Sequence, residues 1–376
     1  MRVLIVSLGS TEGLRRADEE LRAALERAAA RVSLVSAEPP PPARTLMLTD
    51  LGWARAARAA ALRGLAEARP RGSHRRARAG GGGPEGSGDG SGQGGDWPAL
   101  IYSSATAALM WPRPGAIRFD ALAAGNRPGR HGLWQRPLER RRLEQAPLLL
   151  PWSAGALEEA GATAGAAAAR AAAVERGERA LVLPVPVEPS GPLTPAAGRD
   201  VAAITYAANP VKKGLDRVLA AWRAVRAQGA AGDGELVVAG AGADELARAG
   251  FGLEAQERVR AVGALAQDEY RALLRRARVF VCAPRREDHG LAQLEALADG
   301  CMLVTTPAPG PYAALPIARS LDPRLVGEDL AGALRVALED PHAGYAERAR
   351  EALAPLSRAA VDRVVADELL PALRRP

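Results

Sequence analysis

The stretch VFVCAPRREDHGLAQLEALADG, residues 279–300, is the part of the chain whose reading decides the fold. It opens on an apolar run with the composition of a buried strand and passes through a charged loop containing Glu287. From Gly290 it continues as a helix with Glu295 in the second turn. A strand that turns directly into a helix is half of a parallel βαβ unit. Ligands of such sheets gather at the carboxyl ends of the strands, where helix N-termini offer amides and a favourable dipole to an anion. A phosphate held there would lie between two carboxylates, each able to accept hydrogen bonds from neutral hydroxyls. That combination suits a phosphorylated sugar or a nucleotide. Spacing alone leaves solvated helix carboxylates as the other reading.

Working outward, the alternation repeats. Val201–Tyr206, Glu235–Ala239, Val259–Val262, Val279–Ala283 and Met302–Thr305 are strand candidates, with helical stretches beginning at Gly214, Asp268, Leu291 and Glu328. This predicts a doubly wound α/β domain over residues 187–354. The segment LPVPVEPSGPLTPAAGRD, residues 183–200, reads as an interdomain connection because of its prolines and polar residues. Before it, Val3–Leu8, Val32–Val35, Ala99–Tyr102, Leu148–Pro151 and Leu181–Val185 alternate with helical stretches, predicting a first Rossmann-like domain over 1–186. Inside that domain, residues 69–96 hold almost nothing apolar to bury and are expected to form a disordered Gly-rich insertion. At the other end Val361, Val364, Val365, Leu369 and Leu373 recur at helical spacing, so residues 355–376 are expected to pack back on the first domain as a helix.

The 376 residues are 48% hydrophobic and 25% charged, enough for two cores, which excludes global disorder. A net charge of +7 favours anionic partners without choosing among them. MRVLIVSLGS has the composition of a strand rather than of a secretory leader. The longest uncharged stretch, Gly300–Ala318, contains Pro307, Pro309, Pro311 and Pro316 and would not span a bilayer as a helix. A cytoplasmic protein is expected. Cys282, Cys301 and the four histidines, His74, His131, His289 and His342, lack metal-ligand spacing, so no zinc site is expected, and no residue is singled out as binding a cofactor.

Glu287, seven residues, Glu295 and then Ala296, Leu297, Ala298, Asp299 and Gly300 resemble the signature of the retaining GT-B glycosyltransferases of family 4, also described as glycosyl transferases group 1. The similarity extends through AANPVKKGLDRVLAAW (207–222), ELVVAGAGADEL (235–246) and VGALAQDEYRALLRRARVFVCAP (262–284), in the family's order. The first half matches in architecture only. The resemblance implies two Rossmann-like domains facing across a cleft and a metal-independent, hexosyltransferase-type reaction. A nucleotide-diphosphate-sugar would be the donor, and a glycan, lipid or small molecule the acceptor. It further implies that Glu287 faces the transferred sugar and Glu295 holds the ribose hydroxyls, while Gly290 and Leu291 give amides to the diphosphate. Lys213 matches the family's diphosphate-binding lysine, and Gly263 lies where the base approaches. His289 falls inside the same loop and is a candidate contact for sugar or phosphate.

Two departures stand out. The family's Arg ahead of the lysine is replaced by Ala207, Ala208 and Asn209, with Asn209 a neutral substitute donor, and its Gly-Gly-x-x-Glu pattern by Pro309, Gly310, Pro311 and Tyr312. On the acceptor side, Gly9 in a glycine-containing turn and Asp120 after a strand-like run are candidates; a tight turn and a surface carboxylate are the alternatives. The basic loop with Asn126, Arg127, Arg130 and His131 suits an anionic acceptor, a solvated loop being the other reading. Arg136, Arg140, Arg141 and Arg142 suit peripheral contact with the inner face of an anionic membrane, a solvated face being the other reading. Three competing functions remain open: a sugar-nucleotide epimerase, a nucleotide-sugar-binding subunit without turnover, and nucleic-acid binding through the insertion. The last is not the reading adopted.

Overall fold

The structure is a computed structural model that describes residues 1–68, 97–163, 179–195 and 198–374. The insertion expected at 69–96 lies outside the described residues. Two compact units are present. Unit 1 comprises Met1–Pro151, Gly161–Leu181 and Asp362–Pro376, and unit 2 comprises Trp152–Ala160 and Val182–Val361. The division therefore departs from a simple 1–186 span: Trp152–Ala160 cluster with unit 2, and the C-terminal segment changes unit at Asp362 rather than near residue 355.

Unit 1 holds one parallel sheet of β1 (Arg2–Ser7), β2 (Arg31–Ser36), β3 (Ala99–Tyr102), β4 (Ala116–Phe119) and β5 (Leu149–Pro151), in the order β2-β1-β3-β4-β5. The interior strand β1 buries Val3 to Val6 completely, as a strand covered on both faces must, while the edge strand β2 is half exposed. The helix Glu12–Arg27 begins where the Thr11 side chain accepts the Leu14 N–H, and buries Ala17, Asp18, Leu21, Ala24 and Leu25 at helical spacing. Its last residue, Arg27, donates to both oxygens of Asp362 at 2.7 Å.

Leu181–Val185, expected as a strand, belongs to no strand, although the Leu181 N–H still donates to the Leu149 carbonyl at 2.9 Å. Only a single bridge, Leu149 to Ala180, precedes it. Pro184 and Pro186 carry no N–H to donate to a ladder, which is the physical reason pairing stops there.

Unit 2 holds β6 (Val201–Tyr206), β7 (Leu236–Ala239), β8 (Val259–Gly263), β9 (Ala277–Cys282) and β10 (Met302–Thr305), all parallel, in the order β10-β9-β6-β7-β8. Trp222, fully buried on the helix Leu215–Ala227, donates its indole N–H to the Glu257 carbonyl at 2.9 Å. In this sheet the chain leaves β6 towards β7 and returns to its other side at β9. The strand order therefore reverses between β6 and β9, the position where sheets of this kind bind ligands at the carboxyl ends of their strands. In unit 1 the same reversal falls between β1 and β3.

Candidate active site

The loop leaving β6 is built from two overlapping turns. Asn209 accepts the Lys212 N–H on its side-chain oxygen and the Lys213 N–H on its carbonyl, both at 2.9 Å. The turn ends at Gly214, φ +66°, where a Cβ would stand 1.9 Å from the Ala283 carbonyl oxygen of the loop leaving β9. Only glycine permits that approach. The Arg285 N–H then donates to the Lys212 carbonyl at 3.0 Å, binding the two loops together.

This bracing aims Lys213 at Glu287, with Nζ 2.7 Å from Oε2. The lysine side chain keeps 21% of its surface exposed and the carboxylate only 6%. Gln293, in the first turn of the helix Leu291–Ala298, donates from Nε2 to the same Oε2 at 2.9 Å. From the loop after β10, the Pro309 carbonyl accepts the Glu287 N–H at 3.1 Å, and Gly310, φ +111°, lies so close to the Glu287 carbonyl that a Cβ would sit 2.3 Å from its oxygen. Two loops and a helix therefore fix Glu287.

Neighbouring charges in the loop are paired as well. Asp288 takes Lys212 at 3.0 Å and Arg286 at 2.9 Å, and Arg286 reaches Glu159 at 2.7 Å. Arg285 forks onto Asp216. Beneath the loop, burial pushes the Cys282 thiol and the Tyr312 phenol up in pKa, so both stay neutral; Tyr312 and Thr305 share a hydroxyl hydrogen bond of 2.9 Å.

Gly290 is the left-handed residue, φ +85°, that admits the chain to the helix, and the Tyr312 ring packs against it so closely that a Cβ would be 2.8 Å away. The N–H groups of Leu291 and its first-turn neighbours have no intrahelical acceptor. Glu295, 4% exposed, accepts from Gln267 Nε2 at 3.0 Å, with Arg271 3.9 Å away and itself bonded to Asp299 at 2.6 Å. Gly263, φ +73°, closes β8 two strands along from β6, and the helix bearing Gln267 starts shortly after it. His289 is 5% exposed and stands edge-on to Trp152 at 5.3 Å. Asn209 lies exposed, its side-chain oxygen used to close the turn.

Among the expected residues, then, Lys213 and Glu287 are in direct contact, while Gly290 and Leu291 open the helix next to them. Glu295 faces Gln267 farther along that helix. The acceptor-side candidates belong to unit 1: Gly9, φ +57°, takes Arg15 on its carbonyl at 2.8 Å, and Asp120 caps the Ala121 N–H at 2.9 Å. Of the basic helix Gln135–Gln145, Arg142 is a packing residue, donating to the Leu109 carbonyl and lying over Trp111. Gln293, Gln267 and Trp152 were not singled out from the sequence. Gln293 alone left a trace there, as an amide three residues after Gly290 in an otherwise apolar turn. No group of three or more His, Cys, Asp or Glu gathers as a metal site among the described residues, and no described helix is long and apolar enough to cross a membrane.

A family model described as Glycosyl transferases group 1 matches residues 200–340, the stretch that contains this whole arrangement. Residues 200–340 are thus similar to the glycosyl transferases group 1. The chain has the GT-B fold: sucrose-phosphate synthase from Thermosynechococcus elongatus is similar at TM-score 0.65 and 15% identity, covering 98% of each chain. An α,α-trehalose 6-phosphate synthase from Burkholderia multivorans is similar at TM-score 0.61 and 15% identity, covering 100% of this chain and 98% of that one. WaaG, a glycosyltransferase of lipopolysaccharide biosynthesis, aligns at TM-score 0.62 and 14% identity over 98% of this chain and 99% of its own. No curated protein matches by sequence. Within the matched stretch, Glu287, Lys213 and Glu295 lie at the carboxyl edge of the sheet around its reversal point.

Proposed function

We propose that the protein is a retaining, metal-independent glycosyltransferase that moves a sugar from a nucleotide-diphosphate-sugar to an acceptor hydroxyl. The observation that carries the reading is the Lys213–Glu287 pair at the reversal point of unit 2, one oxygen of the carboxylate fixed by lysine and amide and the lysine still partly exposed. In this reading Lys213 leaves Glu287 for the donor diphosphate, and the first-turn amides of the helix from Leu291, introduced by Gly290, share its charge. Those groups supply the positive charge that a metal provides in other phosphate sites. Glu287 orients the sugar, Glu295 the ribose, and Gly263 borders the base. Asn209 and His289 complete the donor side. Gly9 and Asp120 serve the acceptor.

The acceptor oxygen attacks the anomeric carbon from the face the leaving group departs. The C1–O bond to the diphosphate breaks, its electron pair stays on the phosphate oxygen, and the acceptor proton passes to that oxygen. Negative charge builds on the leaving oxygen as the bond breaks, so a cation held against it lowers the barrier by about 3–4 kcal/mol. A structural neighbour from E. coli, TM-score 0.60, carries UDP-2-fluoro glucose, which supports a nucleotide-sugar donor.

The test is turnover of a panel of UDP-, ADP- and GDP-sugars with sugar, sugar-phosphate and lipid acceptors, with and without EDTA, and the product linkage read by NMR. The reading expects nucleoside diphosphate release that survives EDTA and a product of unchanged anomeric configuration. Nucleotide-sugar binding with no transfer to any acceptor would favour a binding subunit.

A further inference from the structure

Gln293 is a poor choice for stability. It is 2% exposed, sits in the first turn of a helix whose other inward residues are mostly apolar, and its Oε1 is buried with no hydrogen-bond partner. A buried amide that leaves its acceptor unpaired weakens a fold relative to an apolar side chain of the same shape. Its second amide hydrogen faces only the Cys282 sulfur, 3.7 Å away, a weak acceptor. Its one strong bond is to Glu287 Oε2 at 2.9 Å.

That bond duplicates the one from Lys213. Both fall on Oε2, and no donor among the described residues reaches Oε1 of Glu287. Duplication has a purpose if one donor leaves. A diphosphate outcompetes a single carboxylate for a lysine, and a flexible ammonium can follow it. The amide of Gln293 is neutral and anchored to a helix, so it stays. We propose that Gln293 is a positioning residue: it holds Glu287 by Oε2 once Lys213 has been drawn to the donor diphosphate. Oε1 is then presented to a hydroxyl of the donor sugar, and the protein discriminates a nucleotide-sugar from the bare nucleotide. This rests on the donor reading above.

The test is calorimetric titration of the full chain with UDP and UDP-glucose, ADP and ADP-glucose, and GDP and GDP-mannose, for wild type, Gln293→Met and Gln293→Glu, with melting temperatures recorded. Gln293→Met removes the amide at nearly constant shape. It is expected to melt at or above the wild-type temperature, to bind the nucleoside diphosphate within twofold of wild type, and to bind its sugar conjugate about tenfold more weakly. Gln293→Glu is isosteric, and its carboxyl can donate to Glu287 only while protonated. The groups facing that pair are Lys213 from the β6 loop, Cys282 on β9, and Tyr312 after β10. This variant is expected to keep near-wild-type sugar-nucleotide affinity at pH 5.5 and to lose it at pH 8, while binding of the bare nucleotide changes equally little at both.

Equal weakening of nucleotide and conjugate in Gln293→Met, or unchanged affinity for both, overturns the proposal, as does a pH-independent Gln293→Glu. Failure of wild type to bind any nucleotide overturns the donor reading and the proposal with it, and is distinguished because it needs no variant.

Discussion

Each unit carries an ion pair near the reversal point of its sheet, between the first helix and β4 in unit 1 and between the loops leaving β6 and β9 in unit 2, and the two pairs are built differently. In unit 1 Asp18 and Arg118 face each other at 3.7 Å, both side chains 1% exposed, with the Ser7 hydroxyl donating to Asp18 and Arg118 donating to the Ala17 carbonyl. Burial dominates there. It holds the Asp18 carboxyl above its usual range despite the arginine, and pushes the Arg118 guanidinium down to about 10. In unit 2 Lys213 and Glu287 meet at 2.7 Å with a fifth of the lysine in solvent. The sealed pair cannot exchange partners, whereas the open one can. Accessibility of the charge separates the structural pair from the one suited to ligand chemistry.

Breaking the sealed pair is expected to have the largest effect. Arg118→Met leaves a buried carboxylate without its cation and is expected to cost about 3–5 kcal/mol of stability, measured by urea unfolding. Nucleotide affinity below the transition should not change. Breaking the open pair reverses that pattern. Lys213→Ala is expected to lower kcat/KM for sugar transfer about 100- to 1000-fold with a small change in melting temperature. Gly214→Ala should fall between them, about 2–3 kcal/mol less stable because a Cβ would meet the Ala283 carbonyl in a left-handed backbone, with Lys213 displaced as well.

The pH dependence sharpens the contrast further. Asp18 has a raised native pKa, so the folded state keeps its proton at a pH where the unfolded chain has released it. Its contribution to stability is full below about 3.8 and is lost as pH rises through the native titration, with a slope up to about 1.4 kcal/mol per pH unit. Denaturant unfolding of wild type against Asp18→Asn across pH 4–7 should show that slope in wild type only. The smallest effect belongs to the exposed Arg285–Asp216 fork, where Asp216→Ala is expected to change stability by less than about 1 kcal/mol.

Buried strands were legible because they leave unbroken apolar runs: the interior β6 and the edge strand β10, which is buried as well, have the boundaries that VAAITY and MLVT announce. The segment from Leu181 was misread because its apolar residues look like a strand while its prolines withhold the donors. In the candidate site, Glu287 and Glu295 were visible through their place around a strand-to-helix turn and through the family resemblance, and Lys213 through that resemblance. Gln293 and Gln267 were not, since a hydrogen-bonding amide has no periodic signature. Trp152 and Glu159 lie more than 120 residues before the loop they touch, and only the folded chain reveals that contact. His289 reads as a polar site residue in sequence, yet is buried against Trp152.

The central claim is that unit 2 binds a nucleoside diphosphate and its sugar through Lys213, Glu287 and Glu295. The most direct measurement is a thermal-shift panel of UDP, ADP and GDP with their common sugar conjugates on wild type, Lys213→Ala and Glu295→Ala. Ligand present at a hundredfold excess over Kd stabilises the native state by about 2.7 kcal/mol. The account predicts a selective rise for one nucleotide and its conjugate in wild type, lost in both variants. A folded wild type that shows no shift with any nucleotide at millimolar concentration, or an equal shift in all three proteins, would contradict it.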